Sequence, residues 1–493
     1  MFYKSTRSSQ KATETAAQVI KQGLASDGGL FVPESVPSLT MDEIQALCKE
    51  SYPVRAATIL SKFLTDYTYE ELLEDCTKAY DESSFVGGAA PLVNIHDRFE
   101  SLELWHGPTA AFKDMALQIM PRLLSRALVK TGEERTALIL VATSGDTGKA
   151  ALEGYKDVPR VKIMVFYPVD GVSRVQKLQM ATQTGSNVNV CAIRGNFDDA
   201  QNGVKEIFGD AEMAKKLNDK GYFFSSANSI NWGRLAPQIV YYVSAYCDLL
   251  NSGKCKLGDT FNVCVPTGNF GNIFAAYLAK RMGLPIGHMV CASNTNNILT
   301  DFLRTGTYDR NRDFYLTMSP SMDILISSNL ERLLYFTAGS EKTATYMNAL
   351  KKDGCYTVEP EILAEIRKNF SGYFTDEEKT AETIHDTYKK YGYLADTHTA
   401  VAIHAAEEYV RETGDNRPMV IDSTASPYKF ANNVYRSVTE KDAESELSAL
   451  DELSAATNTA IPYPLAGLAA RKINFDQVVD RDQMAEAVLD YLG

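Results

Sequence analysis

From about residue 136 onward the chain repeats one pattern: a short β-branched run, a boundary of Gly, Pro, Asn or Ser, then a stretch with the apolar spacing of a core-facing helix. Chains that alternate in this way bury their strands in a largely parallel sheet, because each return crossover runs along a covering helix. The predicted strands are 136–142, 161–167, 188–193, 222–225, 261–266, 288–292 and 419–422. The predicted helices include 174–184, 198–208, 235–250, 272–282 and 399–412; each has the stripe of a helix packed on a core. At 493 residues the chain exceeds the roughly 250–300 residues at which a single hydrophobic core stops growing, so two or three domains are expected.

Three stretches depart from the pattern. The first 95 residues carry helical spacing near 12–24 and 41–49, separated by the turn-rich SDGGLFVPESVP, and read as a separate N-terminal region. Residues 295–395 lose the alternation and read as an insertion or lid-bearing segment. Residues 437–456, rich in Glu, Ser and Ala, read as an exposed helix or a mobile link. The net charge of −13, with no concentration of Lys and Arg, excludes a nucleic-acid partner. The opening MFYKSTRSSQ lacks the apolar stretch of a secretory signal, and no run reaches the roughly 20 apolar residues of a membrane span. Eight cysteines without a CxxC pair read as buried free thiols, so a reducing, cytoplasmic location is expected.

Three loops carry candidate chemistry, because open α/β sheets bind ligands where strands end. In VPTGNFGN, two glycines lead from a strand into the helix IFAAYLAKRM. Backbone amides that converge at a helix start make an anion site. The loop is neither a Walker loop nor a full GxGxxG, which points to a single phosphate, against the plain alternative of a tight turn. In VATSGDTGKAALEGY, Ser144, Asp146 and Thr147 crowd around Gly145 and offer donors for a carboxylate, or simply a helix cap. In LELWHGPTAAFKDMALQ, Lys113 follows a Gly-Pro turn and precedes an apolar helix. Burial there would favour the neutral amine that bonding to a carbonyl cofactor requires, whereas a surface position would leave an ordinary lysine. His398 reads as a first-turn residue behind an Asp396 or Thr397 cap; His106, beside Lys113, is the better candidate for shaping a site. No His/Cys/carboxylate spacing suggests a metal site.

WHGPTAAFKD is similar to the HGPTxAFKD signature of threonine synthases, and VATSGDTG, NSINWGRLAPQ, PTGNFGN and STASPYKF occur in the order that family shows. YKSTR and GLASDGGLFVPE look like its opening motif, so the resemblance runs from about residue 3 to about residue 435. It implies a fold type II pyridoxal-phosphate enzyme of the tryptophan synthase β-like kind, an α/β fold with two open, twisted, mostly parallel sheets flanked by helices, plus an N-terminal region. The implied division is 1–95 as N-terminal domain, 96–135 with 255–435 as the large cofactor-binding domain, 136–254 as the small domain, and 436–493 as a C-terminal segment.

The same resemblance implies that Lys113 bonds the aldehyde of pyridoxal 5'-phosphate, that Gly268, Asn269, Phe270, Gly271 and Asn272 hold its phosphate, and that Thr424 meets its ring nitrogen. It implies O-phospho-L-homoserine as substrate, converted with water to L-threonine and phosphate as the last step of threonine biosynthesis. Ser144, Gly145, Asp146 and Thr147 would serve the substrate carboxylate, with Asp146 orienting the loop or meeting an amine. Ser229, Asn231 and Arg234 are expected at the substrate phosphate, with Lys149 and Arg174 as rivals. A dehydratase or phospholyase of the same fold type, or a non-catalytic homologue, stays open as an alternative. Assembly as a monomer or homodimer is expected.

Overall fold

A computed structural model describes residues 1–493 apart from Ser144 and Gly171. Its frame is two sheets. The larger runs Phe370–Phe374, Ile286–Ser293, Phe261–Pro266, Met419–Ser423, Phe99–Glu103, Leu92–His96, parallel throughout except for the final hairpin pair. The smaller runs Val478–Val479, Val188–Ile193, Val161–Pro168, Thr136–Ala142, Tyr222–Ser225 and is wholly parallel. Every residue of Phe261–Pro266 and of Met419–Ser423 is buried. Strands covered on both faces need no polar alternation, which is why their sequences read as continuous apolar runs.

All seven predicted strands are present, three of them within the longer spans Ile286–Ser293, Val161–Pro168 and Met419–Ser423. The expected helix 235–250 is divided into Trp232–Leu235 and Pro237–Asn251, with Pro237 at a first-turn position where its missing N–H costs nothing. The expected helix 174–184 stops at Ala181, because the Ala181 carbonyl accepts from Asn474 N at 2.8 Å and Phe475 N at 3.1 Å. The strand Phe99–Glu103 carries the charged sequence FESLE yet is fully buried. It is tolerated because each carboxylate has partners: Lys254 and Asn94 at Glu100, His106 and Tyr393 at Glu103.

Residues 295–395 supply the edge strand Phe370–Phe374 and the helix Leu330–Asp353, which bends where Gly339 leaves helical geometry. The stretch 437–456 is neither a mobile link nor a fully exposed helix: Ser448–Thr457 is helical and buries Ala449, Leu450 and Leu453. In the N-terminal region, Thr15, Thr40 and Thr68 each open a helix with a reciprocal capping box to Gln18, Glu43 and Glu71. This region packs on the main body through Trp232, whose ring meets Tyr3 at 5.4 Å and Phe63 at 5.7 Å. Among the described residues no helix is long and apolar enough to cross a membrane, and all eight cysteines are free.

Candidate active site

The loops that follow the strands of the two sheets converge on Lys113. The turn leading to it is fastened to the end of Met419–Ser423: Leu104 N donates to Ser423 O at 3.0 Å, Phe112 N to Thr424 O at 2.8 Å, and Ser426 N to Ala110 O at 3.0 Å. The buried Asp114 carboxylate closes the turn by accepting from Thr109 N and Thr109 Oγ1, both at 2.8 Å. Gly107 is required there, since a Cβ would lie 2.6 Å from Asp114 Oδ2 and 2.8 Å from the Phe85 ring. Lys113 is half-buried, and its amine faces open space 3.2 Å from Ser321 Oγ. The surrounding protein strips the amine of water and lowers its pKa; the nearby Asp146 carboxylate opposes this, and the charges of Arg234 and Lys429 reinforce it.

After Phe261–Pro266, Phe270 adopts the left-handed conformation at φ 63° and starts the helix Gly271–Met282 with no side-chain cap and no acidic residue in its first turn. Uncapped amides at the positive end of a helix fit a phosphate dianion. The cradle is closed from outside by residues of the 295–395 stretch. Ser327 Oγ donates to Gly268 O at 2.7 Å, Asn329 N and Nδ2 each donate to Asn269 O at 3.0 Å, and a Cβ at Gly268 would lie 2.7 Å from Ser321 O. Asn272 is held inward, its Nδ2 donating to Pro266 O at 3.3 Å and its carbonyl accepting from Tyr242 Oη at 2.9 Å. Thr424 is buried, and its hydroxyl makes no hydrogen bond among the described residues. The chemistry of this donor set therefore fits a small phosphorylated cofactor.

The loop after Thr136–Ala142 is built differently. Ser144 lies outside the described residues. Gly145, at φ 152°, could not carry a side chain without meeting Gln176 at 2.4 Å. Asp146 is buried at the start of the helix Asp146–Tyr155, with Thr147 half-buried beside it. Asp146 Oδ1 meets the fully buried Lys429 Nζ at 2.8 Å and accepts from Gln176 Nε2 at 2.9 Å. Burial alone would raise the Asp146 pKa, but Lys429 and Lys113 outweigh it and hold the carboxyl well below its usual range. Lys429 also donates to Gln179 Oε1 at 2.6 Å.

Arg234 is buried, donates Nη1 to Ala227 O at 2.9 Å, and has no carboxylate partner among the described residues; its Nε is unbonded there. Burial lowers its guanidinium to about 10, so it remains charged at neutral pH. The contrast with Arg332 is informative. That side chain is also buried without a carboxylate, but it donates to Phe31 O, Asn329 Oδ1 and Ile230 O and is consumed as a strut. Ser229 is half-buried and its carbonyl accepts from Asn329 Nδ2 at 3.3 Å. Asn231 does not offer its amide to a ligand: Nδ2 donates to Ile20 O and Ser226 O while Oδ1 caps Gly233 N. Its buried amide holds the loop that carries Arg234. Of the rivals, Lys149 is paired with Glu153 at 2.9 Å, and Arg174 is exposed.

His398 occupies the first turn of Thr397–Thr413, with Asp396 as cap. Its ring also reaches another segment, accepting from Ser321 N at 3.1 Å. His106 stacks on Trp105 at 4.3 Å and bonds Glu103 at 2.7 Å. It lines a cleft of about 690 Å³ with Lys149, Lys156 and Arg471. Sequence reading did not find Lys429, Ser321, Ser327 or Asn329. Lys429 lies inside STASPYKF, yet its partner is distant in the chain; the other three lie in a stretch with no periodic signal. Among the described residues no cluster of His, Cys, Asp or Glu could hold a metal ion.

Three family matches cover nearly the whole chain: "Threonine synthase N terminus" over residues 2–80, "Pyridoxal-phosphate dependent enzyme" over 101–421, and "Threonine synthase, C-terminal" over 399–488. The chain is 41% identical to threonine synthase of Pseudomonas aeruginosa over 440 residues, covering 88% of this chain and 90% of that protein. It is 39% identical to human threonine synthase-like 1 over 438 residues, covering 86% of this chain but 58% of that longer protein. Among solved structures it resembles PLP-bound threonine synthase from Brucella melitensis (TM-score 0.87, 37% identity, 100% of this chain and 98% of that one). The yeast threonine synthase structure gives a TM-score of 0.89 at 33% identity, covering 100% of this chain and 98% of that one.

Proposed function

The chain belongs to the threonine synthase family of fold type II pyridoxal-phosphate enzymes, and from that premise we propose that it converts O-phospho-L-homoserine and water to L-threonine and phosphate, the last step of threonine biosynthesis. The observation that carries this reading is the buried guanidinium of Arg234, which has no carboxylate partner among the described residues and lies close enough to Lys113 to depress its pKa. An unneutralised cation beside the reactive amine suits a substrate that brings its own dianion. A dehydratase acting on serine or threonine has no use for it.

Lys113 Nζ would hold the cofactor covalently. Gly268 to Asn272 would hold its phosphate, and Thr424 would meet its ring nitrogen. When bound, pyridoxal phosphate supplies an electron sink for charge developed at the substrate carbons. A neutral hydroxyl at Thr424, unlike a carboxylate, would leave the ring nitrogen largely unprotonated and moderate that sink. Lys113 Nζ, free of the cofactor and biased toward its neutral form, would take a proton from Cα and pass it to the substrate phosphate before taking one from Cβ, since one amine holds one extra proton at a time. Phosphate leaves from Cγ onto Arg234, with Ser229 at the rim of the same site. The Cβ proton would go from Lys113 to Cγ, water would give its hydroxyl to Cβ, and its remaining proton would return through Lys113 to Cα. Gly145, Asp146 and Thr147, with Ser144, would serve the substrate carboxylate; Asp146, already neutralised by Lys429, does not repel it. The free cysteines support action in the reducing cytoplasm.

Arg234→Gln tests the assignment. KM for phosphohomoserine should rise roughly 100-fold, the scale of losing a partner to a buried charge, while the visible band of the lysine-bound cofactor is unchanged. An unaltered KM would remove Arg234 from the substrate site, and production of a 2-oxo acid and ammonia would place the enzyme among the dehydratases.

A further inference from the structure

A helix cap accounts for Asp396 but not for the imidazole beside it. Asp396 Oδ1 accepts from Thr399 N and Oδ2 from His398 N, both at 3.0 Å, which satisfies the first turn of the helix. Yet Asp396 Oδ2 also meets His398 Nδ1 at 2.7 Å, and the ring, almost fully buried and covered by Phe430 at 4.8 Å, points Nε2 across to Ser321 N at 3.1 Å. A backbone N–H can only donate, so Nε2 is the acceptor and the ring proton sits on Nδ1, facing Asp396. The next bond in line is Lys113 Nζ to Ser321 Oγ at 3.2 Å. The Ser321 carbonyl in turn stands where any side chain on Gly268 would have to go.

We infer that Asp396 and His398 are positioning residues: by fixing the backbone of Ser321 they set where the Lys113 amine rests whenever it is not bonded to cofactor. This rests on the reading of Lys113 as the cofactor lysine. The arrangement is more than support for a turn. The segment around Ser321 has its own anchor in Asp323, whose carboxylate accepts from Thr317 N, Thr317 Oγ1, Asn294 Nδ2 and Asn296 Nδ2. Loss of His398 therefore leaves the turn folded but frees the one N–H that aims its serine. Ser321 itself is exposed to the space in front of Lys113, as a residue that meets a mobile amine must be.

The test compares His398→Leu, which keeps bulk without an acceptor, with His398→Gln, whose carbonyl can take the Ser321 N–H, and with Ser321→Ala. Two quantities are read: the rate at which apoprotein captures pyridoxal phosphate, followed by growth of the visible band, and kcat and KM for phosphohomoserine. His398→Leu and Ser321→Ala should each slow capture and lower kcat about tenfold, a modest case of misplacing a reacting group, with KM within about twofold. His398→Gln should recover most of both, and the double variant should be no slower than either single one, because both act on the same chain of contacts. Capture at the wild-type rate in His398→Leu or Ser321→Ala, or losses that multiply in the double variant, would overturn the inference. An imidazole nitrogen NMR spectrum of the wild-type protein reads the same chain without any variant: a proton on Nδ1 supports it, and one on Nε2 contradicts it. If wild-type protein captures the cofactor but ignores phosphohomoserine, the substrate proposal fails and the capture rates still decide this one.

Discussion

Two loops occupy equivalent places, each at the carboxyl end of a central parallel strand and at the start of a helix, and they solve opposite problems. The loop after Phe261–Pro266 leaves its helix start without an N-cap bond or acidic side chains; Ile273 N is taken by Asn272 Oδ1 at 3.0 Å, and the amides before it stay available among the described residues. The loop after Thr136–Ala142 spends two of its amides internally: Thr143 Oγ1 accepts from Gly145 N and Gly148 N, both at 3.0 Å. It also carries a buried carboxylate, which Lys429 neutralises. The first loop is an electrostatic sink formed by main chain, suited to a dianion that stays bound. The second is a nearly neutral, side-chain-supported frame suited to a ligand that comes and goes. Topology offers ligand sites at strand ends; capping and charge decide what each one holds.

Replacing the reactive group itself has the largest expected effect. Lys113→Ala should abolish the visible band and reduce turnover by at least about 1,000-fold, within the range for losing a general base and covalent anchor together. Absorbance and product assay check it. In the small-sheet loop, Asp146→Asn leaves the Lys429 ammonium buried without its counter-charge and should cost about 3 kcal/mol of stability in a denaturant titration. Pairing it with Lys429→Met should restore much of that loss. Because the Asp146 carboxyl is held below its usual range when folded, its contribution is complete above the unfolded value near 4 and fades as pH falls through the lower folded value.

In the large-sheet loop, Gly268→Ala pushes a methyl to 2.7 Å from the Ser321 carbonyl. It should weaken cofactor retention about tenfold, read by dialysis and reconstitution, because the backbone rather than a flexible side chain has to give. A pH-dependent effect belongs to Asp422, which burial pushes up to about 8 while Tyr242 Oη lies 2.7 Å away. A carboxyl with a raised folded pKa costs stability as pH climbs from about 4 to about 8, since the unfolded chain ionises first. Asp422→Asn should therefore match the wild type near pH 4 and gain on it by up to about 1.4 kcal/mol per pH unit as pH rises toward 8, read by thermal unfolding. A wild-type advantage at both pH values would contradict this.

The parallel frame was legible because its strands are buried on both faces and therefore read as β-branched runs. Phe99–Glu103 was not, since its glutamates are admitted to the interior only by Lys254, His106 and other partners that the strand itself does not show. The site divides in the same way. Lys113 and the Gly268–Asn272 turn announce themselves locally, through an apolar turn and a strand-to-helix pair of glycines. Arg234 was visible as a charge, but its isolation from any carboxylate is a property of the packed structure. Asn231 looked equally available in the sequence and proves to be committed to Ile20 and Ser226. The Asp146–Lys429 pair and the contact of His398 with Ser321 join segments that no local pattern connects.

The most direct test of the central claim is to quantify products from the purified, cofactor-loaded wild-type protein given O-phospho-L-homoserine. Threonine and inorganic phosphate in equal amounts, absent with Lys113→Ala, is the predicted result. A protein that holds pyridoxal phosphate on Lys113 yet releases 2-oxo acid and ammonia, or leaves the substrate untouched, would contradict it.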